Sequence, residues 1–343
     1  MAGQVIEILD CPMPVTVQDA GRPGYRHLGV PLSGALDAEW LALANALVGN
    51  PLTTAALEMR LLGPRLRAVN PVSFAIAGQC EAYIDDAYGQ RRDARSWNSH
   101  YLATGETLVV GKVHSGVAYL AIAGGLGLPP VLGSRSTYAR AGLGGIDGRA
   151  LQAGDLLAVG AGGTPLLLRL PQPPQVAGGP LRVVPGPQRE YFTDAAWTRL
   201  LNEEFTVSRE ADRMGLRLDG ARLDHDPAYG ADIVSDAVTP GVIQVPGDGR
   251  PIILLADCQT VGGYPKIAAV IGADLPRLGQ ALPGQILRFV EVSMAQALAA
   301  RRAAAATLAE CIASMVPGGA ELDLDALYAA NLIDGVIDAE QAN

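Results

Sequence analysis

A chain of 343 residues, 49% hydrophobic and only 18% charged, has the material for one large or two ordinary globular cores and is not a disordered segment. Its formal net charge of -9 excludes an electrostatic nucleic-acid footprint, and Arg91, Arg92 and Arg95 form no basic stripe because Asp93 is interleaved with them. With 41 glycines, 24 prolines and 5% aromatic residues, composition points to a mainly β, turn-rich protein with a few helices.

The first residues hold no basic segment followed by an apolar core, so no signal peptide is expected. The longest uncharged stretch, 116–133, is interrupted by glycines and by Pro129 and Pro130, which argues against a membrane span. Cys11, Cys80, Cys258 and Cys311 are widely scattered, so a thiolate zinc site is not expected and a reducing cytoplasm is.

Residues 5–17 contain Pro12 and Pro14 and suit an edge strand or extended arm. A loop-like stretch, QDAGRPGYRHLGVPLSGALD, follows. Asp37 then reads as the N-cap of a helix whose Trp40, Leu41, Ala44, Leu47 and Val48 share one face, with Gly49 and Pro51 stopping it. From 56 to about 170, short runs such as SFAIAG, TLVVG, VAYLAIAGG and LLAVG alternate with glycine turns. The proline-dense segment 171–179 reads as a linker. Beyond it come a strand (LRVVPG), a helix from Thr193 with Phe192 and Trp197 placed as a hydrophobic staple, and five further β runs. Alanine content predicts a long helix over 295–316, broken by Pro317, Gly318 and Gly319, and a short amphipathic helix over 322–339. The expected division is 1–172, 180–294 and a helical tail, 295–343. A faint echo between GRALQAGDLLAV and GQALPGQILRFV is compatible with duplication, and equally with recurrent glycine-turn-strand units.

Two loop-like segments carry more chemistry than a connection needs. The first gathers Gln18, Asp19, Arg22, Tyr25, His27 and Ser33 among glycines, which permit close backbone approach to a ligand, while Arg22 offers a planar fork for a carboxylate. The competing reading is an Asp19–Arg22 pair that only staples the loop. The second follows the apolar run PIILLA and holds Asp257, Gln259, Thr260, Gly262, Gly263 and Tyr264. Polar side chains at the end of a buried strand stand at the mouth of a core, where pockets form. Gln259 can present donor and acceptor to an amide, urea or ureido group, Thr260 adds a hydroxyl, and the glycines can expose N–H groups to an oxyanion. The competing reading is a plain Gly-Gly turn. A third cluster, with Arg209, Asp212 and Arg213, alternates in sign and suits either a solvated network or a ligand contact. A P-loop, GxSxG elbow, HExxH motif and Met-Lys biotinylation dipeptide are all missing, and His27, His100, His114 and His225 are scattered. No metal and no cofactor is therefore expected on this chain itself.

VQDAGRPGYRHLGVPLSGALD with the helix after it, then GSRSTYARAGLGGIDGRALQAGD, SREADRMGLRLDG and GVIQVPGDGRPIILLADCQTVGGYPKIAAV, resemble in order the signatures of the allophanate hydrolase subunit 2 (KipA-like) family, over about residues 4–295. Ala20, Leu36, Cys258 and Val261 depart from the usual residues. The resemblance implies tandem cyclophilin-like β-barrel domains. It further implies the C subunit of an ATP-dependent 5-oxoprolinase, working with subunits A and B, with ATP handled by a partner. In that setting Arg22 or Arg209 would hold the substrate carboxylate, Gln259 and Thr260 would engage the lactam, and Asp19 would join them in catalysis. Two alternatives remain open: a biotin-dependent carboxyltransferase acting on urea or another amide, and a non-enzymatic regulator that binds a kinase.

Overall fold

The computed structural model describes residues 4–160 and 167–318. The expected short helix over 322–339 lies outside them. The N-terminal half stacks two antiparallel sheets. The outer one runs in the order Leu156–Val159, Gln4–Asp10, Arg65–Ala68, Thr107–Val113, Cys80–Asp85, Arg91–Asp93. The inner one runs Thr16–Gln18, Ala56–Met59, Ala118–Ile122, Val72–Ala77, Ser99–Leu102. Gln4–Asp10 is therefore not the edge strand expected from its prolines. Both prolines fall beyond its end, and it is flanked by Leu156–Val159 and Arg65–Ala68.

Alternation along the inner strands explains the layering. Leu57, Phe74, Ile76, Leu120 and Ile122 face the outer sheet and fill the space between the two. Their neighbours Ala56, Ala75, Ala77, Tyr119 and Ala121 point the other way, into a second core. Small side chains on that face let helix α1 (Ala38–Leu47) settle close against it. Asp37 caps α1, accepting from the Glu39 and Trp40 N–H groups at 3.1 and 3.0 Å. Trp40, Leu41, Leu43 and Leu47 are buried, each contributing on the order of 1.5–3 kcal/mol.

The C-terminal half holds an eight-stranded sheet, in the order Ile286–Leu287, Phe205–Val207, Gly215–Gly220, Ile252–Leu254, Val242–Gln244, Lys266–Val270, Leu181–Pro185, Phe289–Glu291, and a two-stranded ribbon of Asp236–Ala237 with Val261–Gly262. The two end strands of the larger sheet are separated in sequence by Arg288 alone, so that sheet curls into a nearly closed barrel. The remaining helices are α2 (Asp194–Asn202), α3 (Leu275–Gly279) and α4 (Met294–Ala313). Thr193 caps α2 as expected, and a Ser293–Gln296 capping box starts α4. After α4 the chain returns to the N-terminal half, where Val316–Pro317 pairs with Leu168–Arg169. One core cluster spans α1, the inner sheet and the barrel interior, so the two halves share packing.

Candidate functional site at the seam between the two halves

The loop after Thr16–Gln18 is pinned by its own carboxylate. Asp19 Oδ1 accepts from Gly21 N–H at 2.8 Å, the Ser134 hydroxyl at 2.6 Å and the Ser136 hydroxyl at 2.5 Å. Its Oδ2 accepts from Arg135 N–H at 2.6 Å. The Asp19–Arg22 staple is thus replaced by a clamp between Asp19 and the 134–136 turn, because two hydroxyls and two amides saturate the carboxylate first. Arg22 is wholly buried and donates through Nη2 to the Ser136 carbonyl. Its Nε and Nη1 have no partner among the described residues. Burial pushes its pKa down, against the attraction of Asp19 and Asp257. Gln18, also buried, donates to Thr16 Oγ1 at 3.0 Å and to the Thr137 carbonyl at 3.2 Å.

A chain of buried polar groups then crosses from one half to the other. Arg213 Nε donates to Asp257 Oδ2 at 2.8 Å, Nη1 to Glu58 Oε1, and Nη2 to the Gly34 carbonyl at 2.6 Å. Glu58 Oε2 accepts from Leu36 N–H at 2.9 Å and from the Tyr119 hydroxyl at 2.7 Å, and that hydroxyl accepts from Asp37 N–H at 2.9 Å. Asp37 Oδ2 accepts from Gln280 Nε2 at 2.7 Å. Burial alone would lower the Arg213 pKa, but Glu58 and Asp257 together hold it above the ordinary arginine range. Desolvation, then the Glu58 charge, lifts Tyr119, and desolvation pushes Asp37 up to about 7 despite its hydrogen bonds.

The second segment meets the first along this seam. Ser33 N–H donates to the Ala256 carbonyl at 3.0 Å. Arg26 reaches across to the Val238 carbonyl and, at 3.4 Å, to the Gln259 main-chain carbonyl. The Gln259 side chain is not among the partners of Asp19. Its Nε2 donates to Gln244 Oε1 at 3.2 Å, and Gln244 Nε2 donates to the Tyr264 carbonyl at 3.3 Å. Gly262 packs against that amide so closely that a Cβ there would lie 2.6 Å from Gln244 Nε2. Beside them the buried Lys266 ammonium is held by Asp236 and by the Ala237 carbonyl at 3.1 Å. The result is a rim of side-chain amides at one barrel end, with the Gln259 side-chain oxygen available to accept.

The structure therefore brings Gln18, Asp19, Arg22, Ser33, Arg213 and Asp257 to the seam, and Gln259, Thr260, Gly262, Gly263 and Tyr264 to the adjoining rim. Tyr25 is half-buried near them and His27 is exposed. Arg209 is exposed, and Asp212 caps its own turn by accepting from Met214 N–H at 2.7 Å, outside this constellation. Glu58, Tyr119, Ser134, Ser136, Gln244 and Gln280 escaped the sequence reading. Glu58 had a signal: it is the single carboxylate in the apolar run TTAALEM. Among the described residues no group of three or more His, Cys, Asp or Glu side chains is placed to hold a metal ion, and no helix is long and apolar enough to cross a membrane.

The family model for the carboxyltransferase domain, subdomains A and B, matches residues 28–291. This chain belongs to that family. It is 37% identical over 302 residues to the 5-oxoprolinase C subunit of Escherichia coli, covering 87% of this chain and 94% of that protein. It is 33% identical to the urea amidolyase of Lachancea kluyveri, covering 81% of this chain but 16% of that protein. Among solved structures, the urea carboxylase of Kluyveromyces lactis superposes with a TM-score of 0.80 at 29% identity, over 94% of this chain and 30% of that one. The mainly β, barrel-containing fold is thus the fold of the carboxyltransferase region of these larger enzymes.

Proposed function

We propose that this chain is the C subunit of an ATP-dependent 5-oxoprolinase and contributes part of the site at which 5-oxoproline is opened to glutamate. The observation that carries the reading is the 37% identity across nearly the full length of a protein that bears that name. The seam and rim support it, because a lactam ring offers one N–H and one C=O, and side-chain amides match both. In this reading Gln259 and Thr260 engage the lactam, while Arg22, the buried guanidinium with open donors, takes the carboxylate in preference to the remote Arg209. Asp19 acts by fixing the loop that carries Arg22. ATP is used through subunits A and B, and this chain works with them in the cytoplasm. The second reading, a carboxyltransferase acting on urea or another amide with carboxybiotin, rests on the family model and the urea carboxylase superposition. There the Gln244–Gln259 amides would face the ureido ring.

Co-expression with subunits A and B, followed by assay of ATP-dependent glutamate release from 5-oxoproline, tests the first reading. Release is expected from the full complex, and Gln259→Ala is expected to lower kcat/KM by about tenfold to a hundredfold with assembly intact, the loss of one or two transition-state hydrogen bonds. Absence of glutamate release, with bicarbonate-dependent carboxylation of urea in the presence of a biotin carboxylase and carrier, would replace it with the second.

A further inference from the structure

A cavity of about 390 Å³ lies between the first segment, α3 and the helix α4. This volume falls in the small-molecule range of roughly 300–1,000 Å³. Its walls are aliphatic, with Leu36, Leu255 and Leu308 among them, and Ala304 and Ala305 keep the α4 side shallow. Four polar side chains, Asp19, Ser33, Glu39 and Arg301, break that surface. Ser33 lines it with a buried hydroxyl that has no partner among the described residues, on a residue held at φ 53. A buried hydroxyl without a partner costs free energy unless something else meets it. Arg301 lines it from α4, with its Nη1 only 3.7 Å from where a Gly272 Cβ would stand, so the guanidinium lies against the cavity wall. Glu39 lines it from the first turn of α1.

Neither charge is answered by another described residue. No ion pair joins Arg301 to Glu39 or to any other described residue, and the Glu39 carboxylate accepts no hydrogen bond among them. Desolvation pushes the Glu39 pKa up, as expected of a carboxylate drawn from water without a cation to answer it. Asp19 also borders the cavity, but its oxygens are saturated by the 134–136 turn and Gly21. What remains is one open cation, one open anion, one hydroxyl and an aliphatic wall.

We infer that this cavity binds a small zwitterion, an α-amino acid with an uncharged aliphatic side chain, whose carboxylate meets Arg301 and whose ammonium meets Glu39. The side chain lies on Leu36, Leu255 and Leu308, and the Ser33 hydroxyl completes the carboxylate's hydrogen bonds. Arg301 is exposed and Glu39 half-buried, so a ligand of one sign only would leave the other wall charge to water alone, and a neutral one would leave both. The site stands apart from the lactam-handling rim and does not depend on that assignment.

Isothermal titration of the full chain with L-leucine tests this, against 4-methylpentanoate (no ammonium) and 3-methylbutylamine (no carboxylate). Saturable leucine binding is expected, with each fragment at least about tenfold weaker, equivalent to about 1.4 kcal/mol. Arg301→Gln and Glu39→Gln are each expected to weaken leucine at least about tenfold. Arg302→Gln, next to Arg301 but not on the cavity wall, is expected to leave it unchanged. Ala304→Trp should abolish binding by filling the space, with its unfolding midpoint measured to show that it is folded. No saturable heat with leucine at about 10 mM, where even a millimolar site registers, overturns the inference. So does equal affinity for either fragment, or unchanged affinity in either charge variant.

Discussion

The loop clamp around Asp19 and the polar chain around Arg213 both bury carboxylates, and they do so in opposite ways. Asp19 is satisfied from within the N-terminal half, by two serine hydroxyls and two backbone amides, with no cation in direct contact. Glu58 and Asp257 come from different halves and are satisfied by one guanidinium between them. Neutral donors can saturate a buried charge locally and so shape one loop. A counterion lent by the C-terminal half makes the burial of Glu58 conditional on the two halves being docked, while Asp257 meets its cation within its own half.

Removing the shared cation is the sharpest way to break that contrast. Arg213→Ala leaves Glu58 and Asp257 buried and uncompensated, and is expected to cost about 3–5 kcal/mol in urea unfolding, with loss of protection in both halves by hydrogen exchange. A loss under about 1 kcal/mol would mean that the network is solvated. Asp19→Ala is expected to cost less, about 2–3 kcal/mol, since several charge-assisted hydrogen bonds go but no buried charge is orphaned. Its exchange signature should stay within residues 18–24 and 134–148, and spread into the barrel would erase the distinction.

Asp37 sharpens the comparison through pH. Its folded pKa of about 7 lies above the unfolded value near 3.8, so its contribution favours folding most fully below pH 3.8 and is lost as pH rises through 7. Asp37→Asn, which keeps the capping acceptor, should therefore unfold at a higher denaturant midpoint than the parent at pH 8, with the gap closing by pH 4. A gap independent of pH would show that Asp37 does not titrate in this range. The smallest effect belongs to the exposed Arg250–Asp219 pair at 3.3 Å. Arg250→Ala should shift stability by less than about 1 kcal/mol, as measured by the thermal midpoint.

Much of the architecture was legible because it rests on local chemistry. The Asp37 and Thr193 caps, the alanine-rich α4 and the unstructured 171–179 segment follow from capping, propensity and proline content. The place of Gln4–Asp10 inside its sheet did not follow, since strand order is set by partners far along the chain. The same limit governed the site. Asp19, Ser33, Arg213 and Asp257 were found because each sits in a polar cluster of its own segment. Ser134 and Ser136 are ordinary turn residues until Asp19 is seen to reach them, and Gln244 reads as a strand residue until Gln259 is folded onto it. Arg22 was singled out for its guanidinium, but its isolation from Asp19 is a fact of packing.

The two-residue ladder between Val316–Pro317 and Leu168–Arg169 sets an order of events during synthesis. The N-terminal sheets emerge first from the ribosome, yet the strand that pairs with Leu168–Arg169 is made only after the barrel that packs on Ala75, Ala77 and Tyr119. At about 5–20 residues per second, residues 181–317 take roughly seven to twenty-seven seconds to appear. Until the barrel is complete, that alanine-and-tyrosine face is covered by α1 alone, and Glu58 is without the barrel's Arg213 at its final place. That face is the surface a ribosome-associated holdase would meet, and its burial under the barrel is the step that joins the two halves.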